Sequence, residues 1–271
     1  MQLKDFARRL PEEVWELFEP LLPSRIWCGN GRPPKSNRDC FHALMYVLVT
    51  GIPWEMLPMG FPSYKTVQRR LKLWLALDVF HRAWQQLAER YQILQGINWD
   101  QVLLDGAKKP AKKGGQQTGP SPVDRGKCGT ALQLASDGRA MPLGAVVSPA
   151  NANDGCHTQA LLAALVVPPP APTTPAVEPE ARSLPTAQAD GAYGNRPARQ
   201  RAQAAGFRLQ APSRGQRQPG VGKIRQAVER CHNFFAQFGR IGRRLDRSAK
   251  RFLGWIELAA CVIFLRSGFV R

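Results

Sequence analysis

Near Asn98 the texture of the chain changes, and no architecture of helices alone or strands alone fits both sides of that point. Before it, apolar residues recur at helical spacing; after it, they come in short runs bounded by turn residues, as strands do. Residues 11–22 carry Val14, Leu17, Phe18, Leu21 and Leu22 at helical intervals, with acids in the first turn, where the helix dipole favours them. Residues 37–50 predict a second helix, capped by Asn37 and closed by Gly51 and Pro53. Residues 64–77 predict a third, with Val67, Leu71, Trp74 and Leu75 turned inward and Lys65, Gln68, Arg69 and Lys72 sharing the other side. Two helices about a turn, the second with a basic face, describe a helix-turn-helix-like unit, although a charged face is also what any solvated helix shows.

Beyond Asn98, Trp99–Asp105 reads as a buried strand ending in an acid. Thr130–Ser136 and Met141–Ser148 flank Asp137-Gly138-Arg139, a hairpin turn. Gly155–Val167 has helical spacing, and Val167–Pro185 is a Pro-rich loop. Thr186–Asp190 is a second strand ending in an acid, followed by a helix over Asn195–Ala205 and a strand over Phe207–Ala211. Arg214–Gly222 is a basic, Gly-rich loop; residues 223–238 carry Ile224, Val228, Cys231, Phe235 and Phe238 on one stripe; a last helix covers 248–266. The expectation is a mixed α/β layer architecture, divided into a helical region over 1–95 and a sheet-bearing domain over 96–271.

The formal net charge is +18, and +13 of it falls in residues 190–271. Such a field gathers polyanions before any specific contact forms, and nucleic acid is the commonest inside a cell. Gly29–Lys35 is a stiff basic loop whose Arg32 and Lys35 can lie in a narrow A·T minor groove or simply link two helices. Six cysteines without a C-x-x-C pair argue against a zinc ribbon or thioredoxin-type site. Met1–Pro23, with four glutamates and no continuous apolar run, does not read as a secretory leader. Trp255–Leu265 is too short to span a bilayer. The expected setting is the cytoplasm, with thiols reduced.

Most carboxylates are solvated surface groups, so three features single out Asp105, Asp190 and Glu229. Asp105 and Asp190 close apolar strand segments, where ligands tend to sit. Between Ala181 and Leu245 the only acids are Asp190 and Glu229, set among basic residues. On its helix Glu229 shares a side with Arg225, His232 and Asn233. Three convergent carboxylates suit hard divalent ions. The same residues also allow a plain structural account, with Glu229 paired to Arg225 and the aspartates capping turns at Gly106 and Gly191.

Several segments, in order, resemble the DDE transposases of bacterial insertion sequences, specifically the "insertion sequence five" family. EEVWELFEPLLP, GNGRPPKSNRDCFHALMYVLVTGIPWEMLP and FPSYKTVQRRLKLW are similar to its N-terminal region. DRGKCGTALQLASDGRAMPLGAVVSPANANDG (residues 124–155) resembles the middle of its catalytic core. ADGAYGN (189–195) is similar to the segment bearing the second aspartate, and VERCHNFFAQFGRI (228–241) to the helix bearing the glutamate. The resemblance implies an RNase H-like core in which Asp105, Asp190 and Glu229 bind two Mg²⁺ ions, for which Mn²⁺ can substitute. It implies nicking at inverted-repeat ends, joining of the freed 3′-hydroxyl to target DNA, no covalent enzyme intermediate, and a homodimer in the active complex. DNA contacts would fall to Arg32, Lys35, Lys65, Gln68, Arg69, Lys72, Arg225 and Arg230.

The chain departs from the family pattern at Gly222, where a tyrosine is frequent, at Ala236, where a basic residue is frequent, and at Gln133, in place of a histidine. Those departures keep a second reading open: an inactive or domesticated copy that binds DNA without cutting it. Asp154 is read as the N-cap of the helix that follows rather than as an acid supporting the site.

Overall fold

The computed structural model describes residues 2–24, 29, 33–170, 184–213 and 221–270, with the side chains of 221–225 excluded. Ten α-helices and six strands lie in that set, a mixed α/β chain with helices leading. Arg32 falls outside the described residues, and so does the side chain of Arg225. Two compact units emerge: one made of residues 1–90 together with 234–271, the other continuous over 91–233. The last 38 residues, grouped with the sheet when read along the sequence, thus belong to the helical unit.

The helical unit opens with α1 (Leu3–Arg8) and α2 (Glu12–Phe18), then α3 (Asn37–Thr50) and α4 (Tyr64–Ala76). Ser36 rather than Asn37 caps α3: its extended backbone lets its hydroxyl accept from the Asp39 N–H at 3.0 Å. Asn37 ties loops together instead, donating to the Pro23 carbonyl at 3.0 Å and accepting from the buried Arg70 guanidinium, which also donates to the Lys35 carbonyl at 2.8 Å. Val67, Leu71, Trp74 and Leu75 are buried as their spacing requires. Lys65, Arg69 and Lys72 are exposed, with Gln68 half-buried between them. Phe18, Phe41, Trp74 and Phe80 interleave as tilted and edge-on ring pairs at the centre of this unit.

A long helix unassigned from sequence, α5 (Val79–Gln95), follows α4 and runs into the second unit. Gly51 ends α3 in the left-handed conformation (φ 68°). It also passes so close to Gly239 that a Cβ on Gly51 would stand 2.5 Å from the Gly239 carbonyl carbon. Near that crossing, α9 (Gly239–Gly242) supplies Arg240, and the connection to α10 (Ala249–Ser267) supplies Asp246. The pair is buried, with Arg240 Nε and Nη2 donating to the two Asp246 oxygens at 3.0 and 3.1 Å, Trp255 Nε1 adding a third bond at 3.0 Å, and the Trp54 and Trp255 rings flanking the guanidinium.

In the second unit, β1 (Val102–Pro110), β3 (Cys128–Ser136) and β4 (Pro142–Pro149) form an antiparallel meander, joined at one end by the two-residue β2 (Gly119–Pro120). The β3–β4 turn is held by Asp137, which accepts from the Arg139 and Met141 N–H groups. On the other side of β1 the sheet turns parallel, with β5 (Thr186–Ala189) and then β6 (Arg208–Gln210). Helices α6 (Thr158–Ala163) and α7 (Arg196–Ala204) pack on the sheet face carrying Val102, Leu104, Ala135 and Ala187. The helix expected over 155–167 is shorter, because residues 154–157 wind as a 3₁₀ turn before α6 begins. The amphipathic α8 (Val221–Ala236) starts and ends two residues earlier than its apolar stripe suggests.

Candidate active site

Strand β1 does not stop at Asp105 but pairs with β3 for five residues more. What stops there is the parallel ladder: Leu104 faces Ala189, and β5 ends at that residue, so Asp105 and Asp190 sit side by side where two parallel strands part. Alternation fixes the faces. Val102, Leu104, Ala187 and Ala189 pack in the core beneath α6 and α7, so Asp105 and Asp190 turn to the opposite face. Asp190 keeps an extended backbone, and its Oδ1 accepts from Ala192 N–H at 2.9 Å, capping the short 3₁₀ turn over 191–193. The turn-capping role weighed for Asp190 is therefore real, whereas Asp105 lies in mid-strand.

Helix α8 lies against that same face, since His232 Nε2 stands 3.6 Å from Asp105 Oδ2. His232 is buried, and neither ring nitrogen has a hydrogen-bond partner. Burial first, then the Lys109 ammonium, pull its pKa down to about 4, against the opposing influence of the Asp105 carbonyl and of Asp154. The imidazole is neutral at pH 7. Glu229, exposed, lies one turn before His232 on the same side of α8, and Arg230 is exposed beside it. Asp105 and Asp190 thus share one sheet face, and Glu229 rides the helix set against it. Among the described residues, however, no three acids, histidines or cysteines stand close enough together to hold one metal ion.

The other face of β1 carries a polar network that sequence spacing did not disclose. Asp154 is not the cap of its turn; Asn153 is, accepting from Gly155 N–H at 3.0 Å. The Asp154 carboxylate instead takes Lys108 Nζ at 2.8 Å and Gln133 Nε2 at 2.7 Å. Gln133, fully buried, accepts the Tyr193 hydroxyl at 3.2 Å through its other end. Burial, then the carboxylates of Asp154, Asp105 and Asp190, push the Tyr193 phenol well above its ordinary pKa. Three acids therefore act on one phenol, which places them in one neighbourhood around the strand ends. Lys108 and Gln133 share its Oδ1, which ties Asp154 into the framework of the sheet.

Gly106 makes this network possible: directly across from Gln133, it leaves a space where a Cβ would stand 2.5 Å from Gln133 Oε1 and 2.7 Å from Asp154 Oδ1. Gly106→Ala must displace the buried Gln133 amide or the half-buried Asp154 carboxylate, breaking the bonds between them. We expect it to destabilise the protein by about 2–3 kcal/mol, within the range for leaving a buried polar group unsatisfied, read as a lowered denaturant midpoint. An unchanged midpoint would show that the network is loosely held. Beside Asp190, a pocket of about 430 Å³ is lined by Asn153, Gly191, Ala192, Gly194 and Asn195.

The family described as "Putative transposase of IS4/5 family" matches residues 10–84. The chain is 35% identical over 118 residues, 42% of its own length and 80% of the relative's, to "Insertion element IS402 uncharacterized 16.2 kDa protein" of Burkholderia cepacia. It is 30% identical over 152 residues, 55% of its own length and 69% of the relative's, to "Putative transposase for insertion sequence element IS402" of the same organism. No solved structure matches the chain.

Proposed function

The chain belongs to the insertion-sequence transposases of the IS4/5 family, and from that premise we propose that it is a metal-dependent DDE enzyme acting through Asp105, Asp190 and Glu229. The observation that carries this reading is the strand register, which sets Asp105 beside Asp190 on the face that α8 lies against. An antiparallel meander extended by two parallel strands is the sheet we read as an RNase H-like core. Three carboxylates fit a hard cation in donor type, so Asp105, Asp190 and Glu229 are the residues that would hold two Mg²⁺ or Mn²⁺ ions. Such ions, when bound, make a water or hydroxyl a better nucleophile and offset charge on the leaving oxygen.

In the first step, water attacks phosphorus at an element end, the P–O3′ bond breaks, and the leaving 3′-oxygen takes a proton. In the second, that hydroxyl loses its proton and attacks a target phosphodiester, whose own 3′-oxygen leaves. The chain's part is to bind and align these strands. Lys65, Gln68, Arg69 and Lys72 form a stripe on α4 suited to a phosphate backbone, in a helix-turn-helix-like unit. Lys35 and Arg230 are exposed and basic, and Arg32 and Arg225 extend the proposed contacts. We assign DNA-end binding to residues 1–95 and chemistry to 96–271, of which the stretch before residue 234 carries the carboxylates, with two copies acting together on paired ends.

The test uses an inverted-repeat duplex taken from the DNA flanking the reading frame. Mg²⁺ or Mn²⁺ should support nicking and transfer into a plasmid, and EDTA should stop both. Steeply salt-dependent binding without nicking in either metal would overturn the enzymatic reading in favour of a DNA-binding protein alone.

A further inference from the structure

Lys108 and Lys109 are neighbours in sequence but live on opposite faces of β1. Lys108 is neutralised by Asp154 at 2.8 Å on the Gly106 face. Lys109 alternates to the Asp105 face, four residues further along the same strand, where it is half-buried. Among the described residues its side chain makes no ion pair and no hydrogen bond. Burial alone lowers its affinity for a proton. A charge partly withdrawn from water gains from a partner, and Lys109 has none among the described residues. The second orphan on this face is His232, nine-tenths buried, with both ring nitrogens lacking a partner and near enough to Lys109 to feel its charge. A half-buried ammonium four residues along β1 and a buried imidazole 3.6 Å from the Asp105 carboxylate thus share this face, a setting that suits a ligand carrying an anionic, hydrogen-bonding group.

We propose that Lys109 is a positioning residue that seats one backbone phosphate of the DNA strand beside Asp105. The inference rests on the transposase reading above, which supplies DNA as the anion. A compact ammonium on a four-carbon stem acts as a point charge for a phosphate rather than as a two-pronged clamp. Seating a single phosphate there sets where along the strand the carboxylate face meets the backbone. Lys108, tied to Asp154 across the sheet, does not take part.

The experiment measures binding of the full chain to the inverted-repeat duplex in EDTA, comparing wild type, Lys109→Met and Lys109→Arg. A set of duplexes each carries one neutral methylphosphonate in place of one phosphate. In Lys109→Met the slope of log K against log salt should fall by about 0.9, the release from one phosphate. One methylphosphonate position that weakens wild type about tenfold should have no effect on Lys109→Met, while Lys109→Arg should behave as wild type. Thermal unfolding of Lys109→Met should occur at the same or a higher temperature, because the substitution removes a half-buried charge that has no partner. A lowered unfolding temperature, or equal sensitivity of both proteins at every methylphosphonate, would overturn the proposal. Failure of the carboxylate triad reads out separately, as nicking that survives Asp105→Asn in Mg²⁺.

Discussion

Asp105→Asn, Asp190→Asn and Glu229→Gln should each reduce nicking of an inverted-repeat duplex by about 10³-fold or more while leaving duplex binding within a few-fold of wild type. Each substitution removes one negative charge and almost no volume, so the surrounding packing is kept. The loss follows from charge: a carboxylate that holds a divalent ion contributes several kcal/mol to the transition state, and each 1.36 kcal/mol is tenfold in rate. Binding should persist because none of the three substitutions removes a basic group proposed for DNA. Asp190→Asn has one further property. Its side-chain oxygen accepts from Ala192 N–H, a bond that an amide oxygen can still make, so this variant should fold normally. Full nicking by any one of the three would remove that residue from the triad.

The largest expected effect on stability falls on Asp246. Its carboxylate is 3% exposed and receives Arg240 through two bonds and Trp255 through one. Asp246→Ala leaves a guanidinium buried against two indoles without its counter-charge, which costs about 3–5 kcal/mol. The double variant Arg240→Met with Asp246→Leu removes both charges and fills much of the space, and it should recover most of that loss. Urea unfolding of the two variants reads this directly. A double variant no better than Asp246→Ala would mean that the hydrogen bonds, rather than the lone charge, dominate.

How much could be read beforehand depended on whether the responsible physics was local. The helix over 37–50 was read to the residue, because its apolar periodicity and the closing Gly51 act within a few positions. The β3–β4 hairpin was placed for the same reason: Asp137 bonds the backbone two and four residues on. Cap identity failed twice, at Asn37 and at Asp154. In each case the adjoining Ser36 or Asn153, an equally good capping type, had the extended backbone a cap needs, and the expected residue was drawn to a distant partner.

The pairing of Asp105 with Asp190 was suggested by two strands that each end in an acid, but its register depends on contacts more than eighty residues apart. The Gln133–Asp154–Tyr193 network left no local trace at all. Its one visible clue was Gly106, whose missing side chain matters only once β3 is laid across from it. Arg240 and Asp246 were invisible for a related reason, since nothing in a basic, Gly-containing segment announces that an arginine will be buried against tryptophans from two other places in the chain.

The contact between Gly51 and Gly239 has a consequence for the order in which the protein is made. It joins the end of α3 to a segment that leaves the ribosome 188 residues later, and Arg240 reaches back to the Ile52 carbonyl across the same interval. At translation speeds of about 5–20 residues per second, the helical unit waits roughly 10–40 s for its closing piece. The sheet unit, continuous over 91–233, can finish folding in the meantime. Synthesis therefore completes the part that carries the carboxylates before the part that carries the basic helix α4.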